Sequence, residues 1–302
     1  MRVFVTGASG HLGSAVVPEL LQAGHEVVAL ARSDASAAAV TALGAEVRRG
    51  DLDDLDGLKD AASAADGVIH LAFKHDAMRA GDAAGAGAAD LAALVAIGDA
   101  LAGTGKPLVG TSGTLPLAFA NLKRAVTEND VLAAGPRIDA ENLVIGFAER
   151  GIRSSVVRLP PVVHSTLDKH GFVPTLIATA RAAGVSGYLG EGANRWPAGH
   201  TLDAGHLYRL ALEKAPDGSR LHAVGDEGIP FLQIAETIGR QLGVPAARIP
   251  AEQAQAHFGF LAALVALDNP ASSALTQRLL GWEPTHPGLI ADLDAGRYFA
   301  TA

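Results

Sequence analysis

The chain contains no cysteine, which excludes disulfide bonds, thiolate nucleophiles and cysteine metal sites. Aromatic residues are also scarce, at 5%, although 49% of the residues are hydrophobic. Much of that hydrophobic fraction is alanine, and small side chains suit close packing of helices on a sheet. The composition therefore favours a helix-rich α/β protein over a β-sandwich.

Basic residues are outnumbered by acidic ones, 24 against 32, and the formal net charge is -8. Such a chain repels nucleic acid and anionic membranes. The apolar run at Val3–Val5 is shorter than the about 7–15 residues of a signal peptide, and no uninterrupted apolar stretch reaches the ~18 residues of a membrane span. No His-Glu-x-x-His spacing or Gly-x-Ser-x-Gly turn is present. We expect a cytoplasmic protein with a small-molecule substrate and without a metal, nucleic-acid or membrane partner.

Short β-branched runs alternate with alanine- and leucine-rich helical stretches through the first half of the chain. This alternation predicts a parallel sheet with helices on both faces, and its strands are apolar on both sides, as buried parallel strands are. After Pro160 the pattern changes to glycine, proline and histidine, and residues 184–200 resemble a shaped loop. We predict a dinucleotide-binding domain at 1–163, to which 201–225 returns. Residues 164–200 and 226–302 would form a smaller C-terminal substrate-binding cap.

A glycine-rich turn follows the first predicted strand and opens the first helix. It has the pattern GxxGxxG and comprises Gly7, Ser9, Gly10, His11, Leu12 and Gly13. The first glycine permits a tight turn, the second allows close approach of a pyrophosphate, and the third packs the helix onto the strand. The helix N-terminus then attracts the anion. This context predicts a doubly wound Rossmann-type sheet that binds a dinucleotide.

The end of the second predicted strand bears on the cofactor's identity. A free ribose 2′-hydroxyl usually meets an acidic residue about 20 residues beyond the glycines, but Arg32 and Ser33 stand there. Arginine suits a 2′-phosphate through charge-assisted bidentate bonds. NADPH is therefore the expected cofactor, while the neighbouring Asp34 keeps NADH open as an alternative.

Motifs along nearly the whole chain resemble the extended short-chain dehydrogenase/reductase superfamily, which includes epimerases and dehydratases. Besides the glycine turn, they include 51–52, 70–72, 111–114, 158–161, the stretch from Arg195 to Asp203, and 280–284, which reads Leu-Gly-Trp-Glu-Pro. The resemblance implies adenine contacts from Asp51 and Leu52, and a path to the nicotinamide lined by Leu71, Ala72 and Phe73. It also implies a strand end at Thr111, a catalytic Ser112, and a nicotinamide wall of Leu159 and Pro160. It further implies a homodimer formed through the helices after the fourth and fifth strands.

One departure from that superfamily concerns its chemistry. Members carry Tyr-x-x-x-Lys on the helix after the fifth strand, whereas here Arg137 and Glu141 take those places. The two could pair on the helix surface, since i and i+4 side chains are neighbours. Alternatively, Arg137 anchors an anionic substrate or Glu141 binds the nicotinamide ribose. Neither replaces the tyrosine as an acid, because arginine stays charged.

Another proton donor is then needed, because hydride delivery to a carbonyl leaves an alkoxide. His164, expected in a loop facing the cleft, is the first candidate. Tyr188 in the cap and His75 follow, then His170 and His200, although His200 is expected to have a structural role near Asp203. Water relayed by Ser112 is a further alternative.

Three functions fit the sequence. The first is an NADPH-dependent reductase of a small carbonyl or imine-like substrate. The second is an epimerase or dehydratase that keeps its nicotinamide cofactor bound. The third is a non-catalytic cofactor sensor, which the missing tyrosine and lysine favour.

Overall fold

The computed structural model describes residues 1–135 and 137–299. Its strands are β1 Arg2–Thr6, β2 Glu26–Ala31, β3 Glu46–Arg49, β4 Gly67–His70, β5 Pro107–Gly113, β6 Arg153–Leu159, β7 Val162–His164, β8 Ser186–Tyr188, β9 Arg195–His200, β10 Ser219–His222, β11 Asp226–Pro230 and β12 Ala246–Arg248. Its α-helices are α1 Gly13–Gln22, α2 Asp34–Ala42, α3 Leu55–Ala64, α4 His75–Arg79, α5 Ala83–Leu101, α6 Leu115–Ala118, α7 Ile138–Gly146, α8 Phe172–Ala183, α9 Thr201–Lys214, α10 Phe231–Leu242, α11 Ala254–Phe258, α12 Ala274–Leu280 and α13 Leu289–Asp294.

Seven parallel strands form the main sheet in the order β10-β6-β5-β4-β1-β2-β3. The strand order reverses at β1, which pairs with β2 on one side and β4 on the other. In open α/β sheets, ligands bind outside the carboxyl ends of the strands at such a reversal. The predicted α/β Rossmann-type fold is confirmed, and the reversal lies directly beside the glycine turn.

Helices cover both faces of this sheet. Alternate residues of a strand point to opposite faces, so Val3 and Val5 of β1 join the cluster under α1 and α9, while Phe4 joins the cluster under α3, α5 and α7. Residues 201–225 contain α9 and β10 and extend the sheet beyond β6.

The remaining segments pack around a third apolar cluster, which contains the fully buried Trp196 and Phe231. Residues 184–200, expected to be a loop, contain two strands, so that expectation is wrong. β8 pairs with β12, and β9 lies between β7 and β11. These strands are short and their partners are distant in sequence, so no local periodicity indicates them.

One helix in the described part of the chain, α5, is long and apolar enough to cross a membrane, judged by length and composition alone. It packs between α3 and α7 against the sheet. Asp90, near its middle, is buried and ion-paired. Core helices of globular proteins pass the same test, so α5 is weak evidence for a membrane span.

Candidate active site

The glycine turn joins β1 to α1 in a conformation that side chains would disrupt. Gly7 has φ +70°, and a Cβ there would lie 2.6 Å from the Ala72 amide nitrogen. A Cβ on Gly13 would lie 2.2 Å from the carbonyl oxygen of Ala8. Only glycine permits this approach of α1 to β1 and of β1 to the segment after β4.

The start of α1 is open to an anion. No side chain caps this helix, and the His11 and Leu12 amides donate no hydrogen bond to any described residue. The Gly10 amide donates to Gly7, and the Ser14 amide donates to Gly10, which closes the turn beneath them. Free amides at a helix N-terminus fit a pyrophosphate, so the turn fits the expected cofactor.

The predicted cofactor residues beyond this turn follow the carboxyl ends of the neighbouring strands. They are Asp51 and Leu52 after β3, Leu71, Ala72 and Phe73 after β4, Thr111 and Ser112 at the end of β5, and Leu159 and Pro160 at the end of β6. The parallel strands end at one edge of the sheet, which brings these residues to the same edge as the glycine turn. Ser9 is exposed on the turn.

Arg32 and Ser33 follow β2 at the adenosine end of that edge. Arg32 is exposed and lies 3.3 Å from Asp76 across solvent, an exposed pair worth at most about 1 kcal/mol. Ser33 caps α2 through the Ser36 amide. Asp34 pairs with Arg49 at the end of β3, so its carboxylate is already engaged by a cation.

Arg137 stands immediately before α7 with φ +66°, a left-handed conformation uncommon outside glycine. Its guanidinium donates to Asp90 at 3.2 Å and to the Thr111 carbonyl at 2.9 Å. The same group lies 4.3 Å from the centroid of the Phe73 ring, a cation–π contact. Strained backbone that is held by several contacts clusters at functional sites. This is the most unusual side-chain position at the sheet edge.

A buried network of hydrogen bonds holds the two groups that Arg137 contacts, Asp90 and Thr111. Asp90 also lies 3.0 Å from Nε2 of His70, whose Nδ1 lies 2.9 Å from the Thr6 hydroxyl. The Thr111 hydroxyl donates to the His70 carbonyl and lies 2.8 Å from the fully buried Tyr208 hydroxyl. Burial raises the pKa of Tyr208, so this phenol stays neutral. The network fixes the direction of Arg137 but leaves a quarter of its side chain exposed.

Arg137 and Glu141 do not pair on the helix surface, so that hypothesis is wrong. Glu141 is fully buried and accepts hydrogen bonds from Arg158 at 2.5 and 3.0 Å and from Arg220 at 2.8 Å. Burial raises the pKa of Glu141, but the hydrogen bonds and charge of Arg158 outweigh it and leave the pKa below its usual value. The hypothesis that Glu141 binds the nicotinamide ribose is also wrong, because its carboxylate is enclosed by these arginines.

Next to Arg158 lies His222, which makes a pH-dependent contribution to stability. Its Nδ1 donates to the Ser272 carbonyl at 2.8 Å and its Nε2 accepts from Arg158 at 3.2 Å, so the buried ring is neutral. Burial lowers the pKa of His222 to about 4 from 6.5. Between about pH 4 and pH 6.5, His222 is therefore protonated in the unfolded chain and neutral in the native chain. We expect this group's contribution to the free energy of unfolding, about 3 kcal/mol, to be complete above pH 6.5 and lost as pH falls toward 4.

Urea unfolding at several pH values measures this loss, and His222→Gln should flatten the dependence relative to the wild type. His170→Ala, which removes an exposed histidine, should leave the dependence unchanged. Identical pH slopes in the wild type and His222→Gln would show that His222 does not titrate in this way.

Two of the expected proton donors lie away from the sheet edge. His164 is in β7, fully buried, with Nδ1 3.0 Å from Asp292. The expectation of a loop position facing the cleft is therefore wrong, and the enclosed ring does not serve as the donor. Tyr188 is half-buried in β8 and packs against the cap cluster around Trp196.

The other expected groups have varied positions. His75 begins α4 with its ring 5.1 Å from the Phe73 ring, and His170 is exposed. His200 accepts from the Leu202 amide and caps α9, as its expected structural role requires. The Ser112 hydroxyl is buried at the end of β5, next to the enclosed carboxylate of Glu141, whose pKa it helps to lower.

Sequence reasoning missed Asp90, which orients Arg137. The available signal was an acid near the middle of an alanine-rich helix, because a buried charge needs a partner. It also missed Asp292 and His286, whose partners lie more than 80 residues away; no local pattern identifies such pairs.

Similarity to known proteins agrees with this geometry. A family model, the NAD dependent epimerase/dehydratase family, matches residues 3–114. An uncharacterized protein of Schizosaccharomyces pombe is 47% identical over 99% of this chain and all of its own length. A 4-hydroxy-2-methyl-3-oxo-4-farnesyl-3,4-dihydroquinoline-1-oxide ketoreductase of Stigmatella aurantiaca is 30% identical over 94% of this chain and 88% of its own length.

Among solved structures, UDP-glucose 4-epimerase of Thermotoga maritima aligns over 99% of this chain and 98% of its own, with a TM-score of 0.78 and 19% identity. The enzyme of the same name from Stenotrophomonas maltophila, solved with bound NAD, aligns over 99% and 97% of the two chains with a TM-score of 0.78 and 21% identity. At 19% and 21% sequence identity, these solved structures show the fold alone. The proteins that are similar in sequence identify the family. The chain belongs to the NAD-dependent epimerase/dehydratase family of the extended short-chain dehydrogenase/reductase superfamily, with an oxidoreductase-like fold that binds nicotinamide dinucleotides.

Proposed function

We propose that this protein is an NADPH-dependent reductase of a small carbonyl or imine-like substrate. The observation that carries this proposal is Arg137, a partly exposed cation fixed at the sheet edge where the superfamily has its tyrosine. The similarity to a ketoreductase supports the same class of reaction.

NADPH rather than NADH is proposed because of the charges after β2. Arg32 is exposed and its carboxylate neighbour Asp76 holds it only through a solvent-exposed contact, so a phosphate can compete for the guanidinium. Asp34, the next acid after β2, is held by Arg49 only in an equally exposed contact, so the proposal of NADPH rests on Arg32. The N-terminus of α2 adds a favourable dipole for a phosphate.

Replacing Arg32 by aspartate tests the cofactor choice. We expect the Kd for NADPH to rise by about 10–100-fold, because a charge-assisted bond to a phosphate is lost and a like charge is added. The Kd for NADH should change far less. Fluorescence titration with both nucleotides measures the two constants. Arg248→Asp is the matched control, since Arg248 is also an exposed arginine paired with a single acid. Equal losses for the two nucleotides in Arg32→Asp would contradict a 2′-phosphate contact.

In the proposed reaction, NADPH bound along the sheet edge supplies a hydride. Arg137 holds the substrate oxygen and stabilises the negative charge that develops on it, as preorganised donors do. Arg137 cannot give up a proton, so the proton that neutralises the alkoxide comes from water.

The reductase is tested directly by incubating the protein with NADPH and a panel of aldehydes, ketones and imines with and without a carboxylate, while nicotinamide absorbance is followed. We expect turnover of one or more of these compounds. Tight stoichiometric NADPH binding without turnover would refute the reductase and indicate a sensor. A nicotinamide cofactor that copurifies and is not consumed would indicate an epimerase or dehydratase.

We also propose a cytoplasmic homodimer that takes no nucleic-acid or membrane partner. The support is the net charge of -8 and the exposed apolar side of α5, where Val95 is 43% exposed. Sedimentation of the purified protein measures the assembly, and a single monomeric species at micromolar concentration would contradict it.

A further inference from the structure

We propose that a small cavity behind the phosphate turn binds a divalent transition-metal ion such as Zn²⁺. The cavity has a volume of about 100 Å³ and lies where the start of α9 meets β7 and the segment before α13. Its lining includes His164, His200, His286, Asp203 and Asp226. We call these five residues the histidine cavity. None of them belongs to the proposed reductase machinery, so the two proposals stand or fall separately.

The donor atoms in the histidine cavity are close enough to share an ion. His200, Asp203 and His286 each offer one ligand atom, and these atoms all lie within 4.8 Å of one another. The His200 and His286 rings are stacked 4.6 Å apart with 6° between their planes, so one ring must turn for both to bind one ion. The His164 ring lies 5.4 Å from that of His200. Imidazole nitrogens with a carboxylate are donors that suit Zn²⁺, Ni²⁺ or Co²⁺, whereas Mg²⁺ and Ca²⁺ prefer oxygen alone.

His164 provides an independent indication of a ligand. It is completely buried, and its Nε2 has no hydrogen-bond partner in the described chain. Its Nδ1 donates to Asp292 at 3.0 Å, so the lone pair on Nε2 is bare. A buried acceptor left without a partner costs about 1–3 kcal/mol. A ligand in the cavity would remove that cost, although Nε2 of His164 is not among the three donor atoms that lie within 4.8 Å of one another.

The carboxylates around the cavity support the same assignment. Asp292 accepts from Nδ1 of His164 at 3.0 Å. Asp203 accepts from Nδ1 of His286 at 2.7 Å, and coordination of one ion by both residues would replace that hydrogen bond. Metal-binding histidines commonly donate their second ring nitrogen to a carboxylate, which fixes the tautomer and turns the free nitrogen toward the ion. His200 differs, since its Nδ1 accepts from the Leu202 amide at 3.2 Å; coordination by this nitrogen would replace that hydrogen bond.

The charge of the cavity favours a cation. Asp203 and Asp226 line it, Asp292 lies behind His164, and no lysine or arginine is among the residues described along its wall. The cavity also joins distant parts of the chain, because His286 precedes α13 and Asp203 is in α9. An ion there would fasten the C-terminal segment to α9, and we therefore expect a structural rather than a catalytic metal.

The test is titration of the metal-free, untagged full chain with Zn²⁺ in a calorimeter, repeated with Co²⁺ to follow its visible absorption. We expect one ion per chain and a higher unfolding temperature with Zn²⁺. His286→Ala should raise the Kd at least 10–100-fold. His200→Asn should do the same, and asparagine keeps a side chain that can cap α9. Circular dichroism checks that both variants are folded.

His170→Ala is the matched control, because it removes an exposed histidine outside the cavity. Its Zn²⁺ affinity and stoichiometry should equal those of the wild type. The proposal is overturned if the wild type binds no Zn²⁺, or if folded His286→Ala and His200→Asn bind it as tightly as His170→Ala does.

Discussion

Replacing Arg137 by alanine should lower kcat for carbonyl reduction by about 10²–10³-fold while NADPH still binds. The reason is that the guanidinium is a fixed, partly exposed cation at the end of β5, held there by Asp90 and the Thr111 carbonyl. Its loss leaves the developing alkoxide without a fixed donor. Steady-state kinetics on a carbonyl substrate, with nucleotide fluorescence for cofactor binding, separates the two effects.

Arg150→Ala provides the control for removing an arginine of this kind. Arg150 is also ion-paired, with Asp99, and also lies over an aromatic ring, that of Phe147 at 5.3 Å. It lies at the opposite end of the strands, before β6, so its removal should leave kcat unchanged. A full loss of activity in Arg150→Ala would mean that destabilisation alone explains the effect.

Arg137→Ala also leaves Asp90 buried with only His70 as partner, and removal of one partner of a buried pair destabilises a protein by about 3–5 kcal/mol. The double variant Arg137→Met with Asp90→Asn removes both charges together and should be more stable than Arg137→Ala. We expect the double variant to remain as inactive as Arg137→Ala. Recovery of activity in the stable double variant would contradict a role for Arg137 in the reaction.

Replacing Gly13 by alanine should disrupt the cofactor site most severely. The new Cβ would lie 2.2 Å from the carbonyl oxygen of Ala8 and 2.4 Å from its carbon. Both are backbone atoms, so no side-chain rotation relieves the clash and α1 must move away from β1. We expect a loss of about 3 kcal/mol in the free energy of unfolding and an increase of about 100-fold in the Kd for NADPH.

Gly87→Ala is the matched control for Gly13→Ala. Gly87 lies inside α5, and a Cβ there meets nothing within 4 Å. Alanine should therefore stabilise the protein by about 0.5–1 kcal/mol, because it restricts the unfolded chain and favours a helix. Denaturant unfolding and fluorescence titration of both variants measure the effects. NADPH binding by Gly13→Ala equal to that of Gly87→Ala would show that the turn does not form the pyrophosphate site.

Secondary structure in the first half of the chain could be predicted closely. β2, β3 and α3 have the bounds that the hydrophobic pattern indicates. α7 is a telling exception: the pattern predicts a helix from Arg137 to Arg150, but the helix begins at Ile138 and gives way to a 3-10 helix at Phe147. Tertiary contacts to Asp90 and Thr111 hold Arg137 in a left-handed conformation that local propensity disfavours.

The cofactor site could be predicted because its determinants are contiguous. Gly7 to Gly13 are joined by the chain itself to a strand and a helix, and their turn geometry follows from glycine's freedom at positive φ. The residues after β3, β4, β5 and β6 follow because parallel strands end at one edge. The turn and the strand-end positions follow from the order of strands and helices alone, and the hydrophobic periodicity of the sequence predicts that order.

Side-chain partners could not be predicted in the same way. Arg137 and Glu141 are four residues apart, a spacing that predicts a pair on one helix face. Arg137 instead pairs with Asp90, 47 residues away, and Glu141 pairs with Arg158, 17 residues away. His164 follows β6 in sequence, which predicted a position in the cleft. It is instead buried against Asp292, 128 residues away. Such choices depend on which charges burial brings together, since a buried charge must find a partner wherever the fold places one.

By itself, the sequence therefore determined the Rossmann-type sheet and the glycine turn, because both depend on adjacent residues or on the order of strands. Only the tertiary structure decided that Arg137 is a fixed cation at the sheet edge, that Glu141 is enclosed, and that three histidines share one cavity. The physical reason is that desolvated charges and lone pairs are satisfied across space, over separations that no local pattern in the chain encodes.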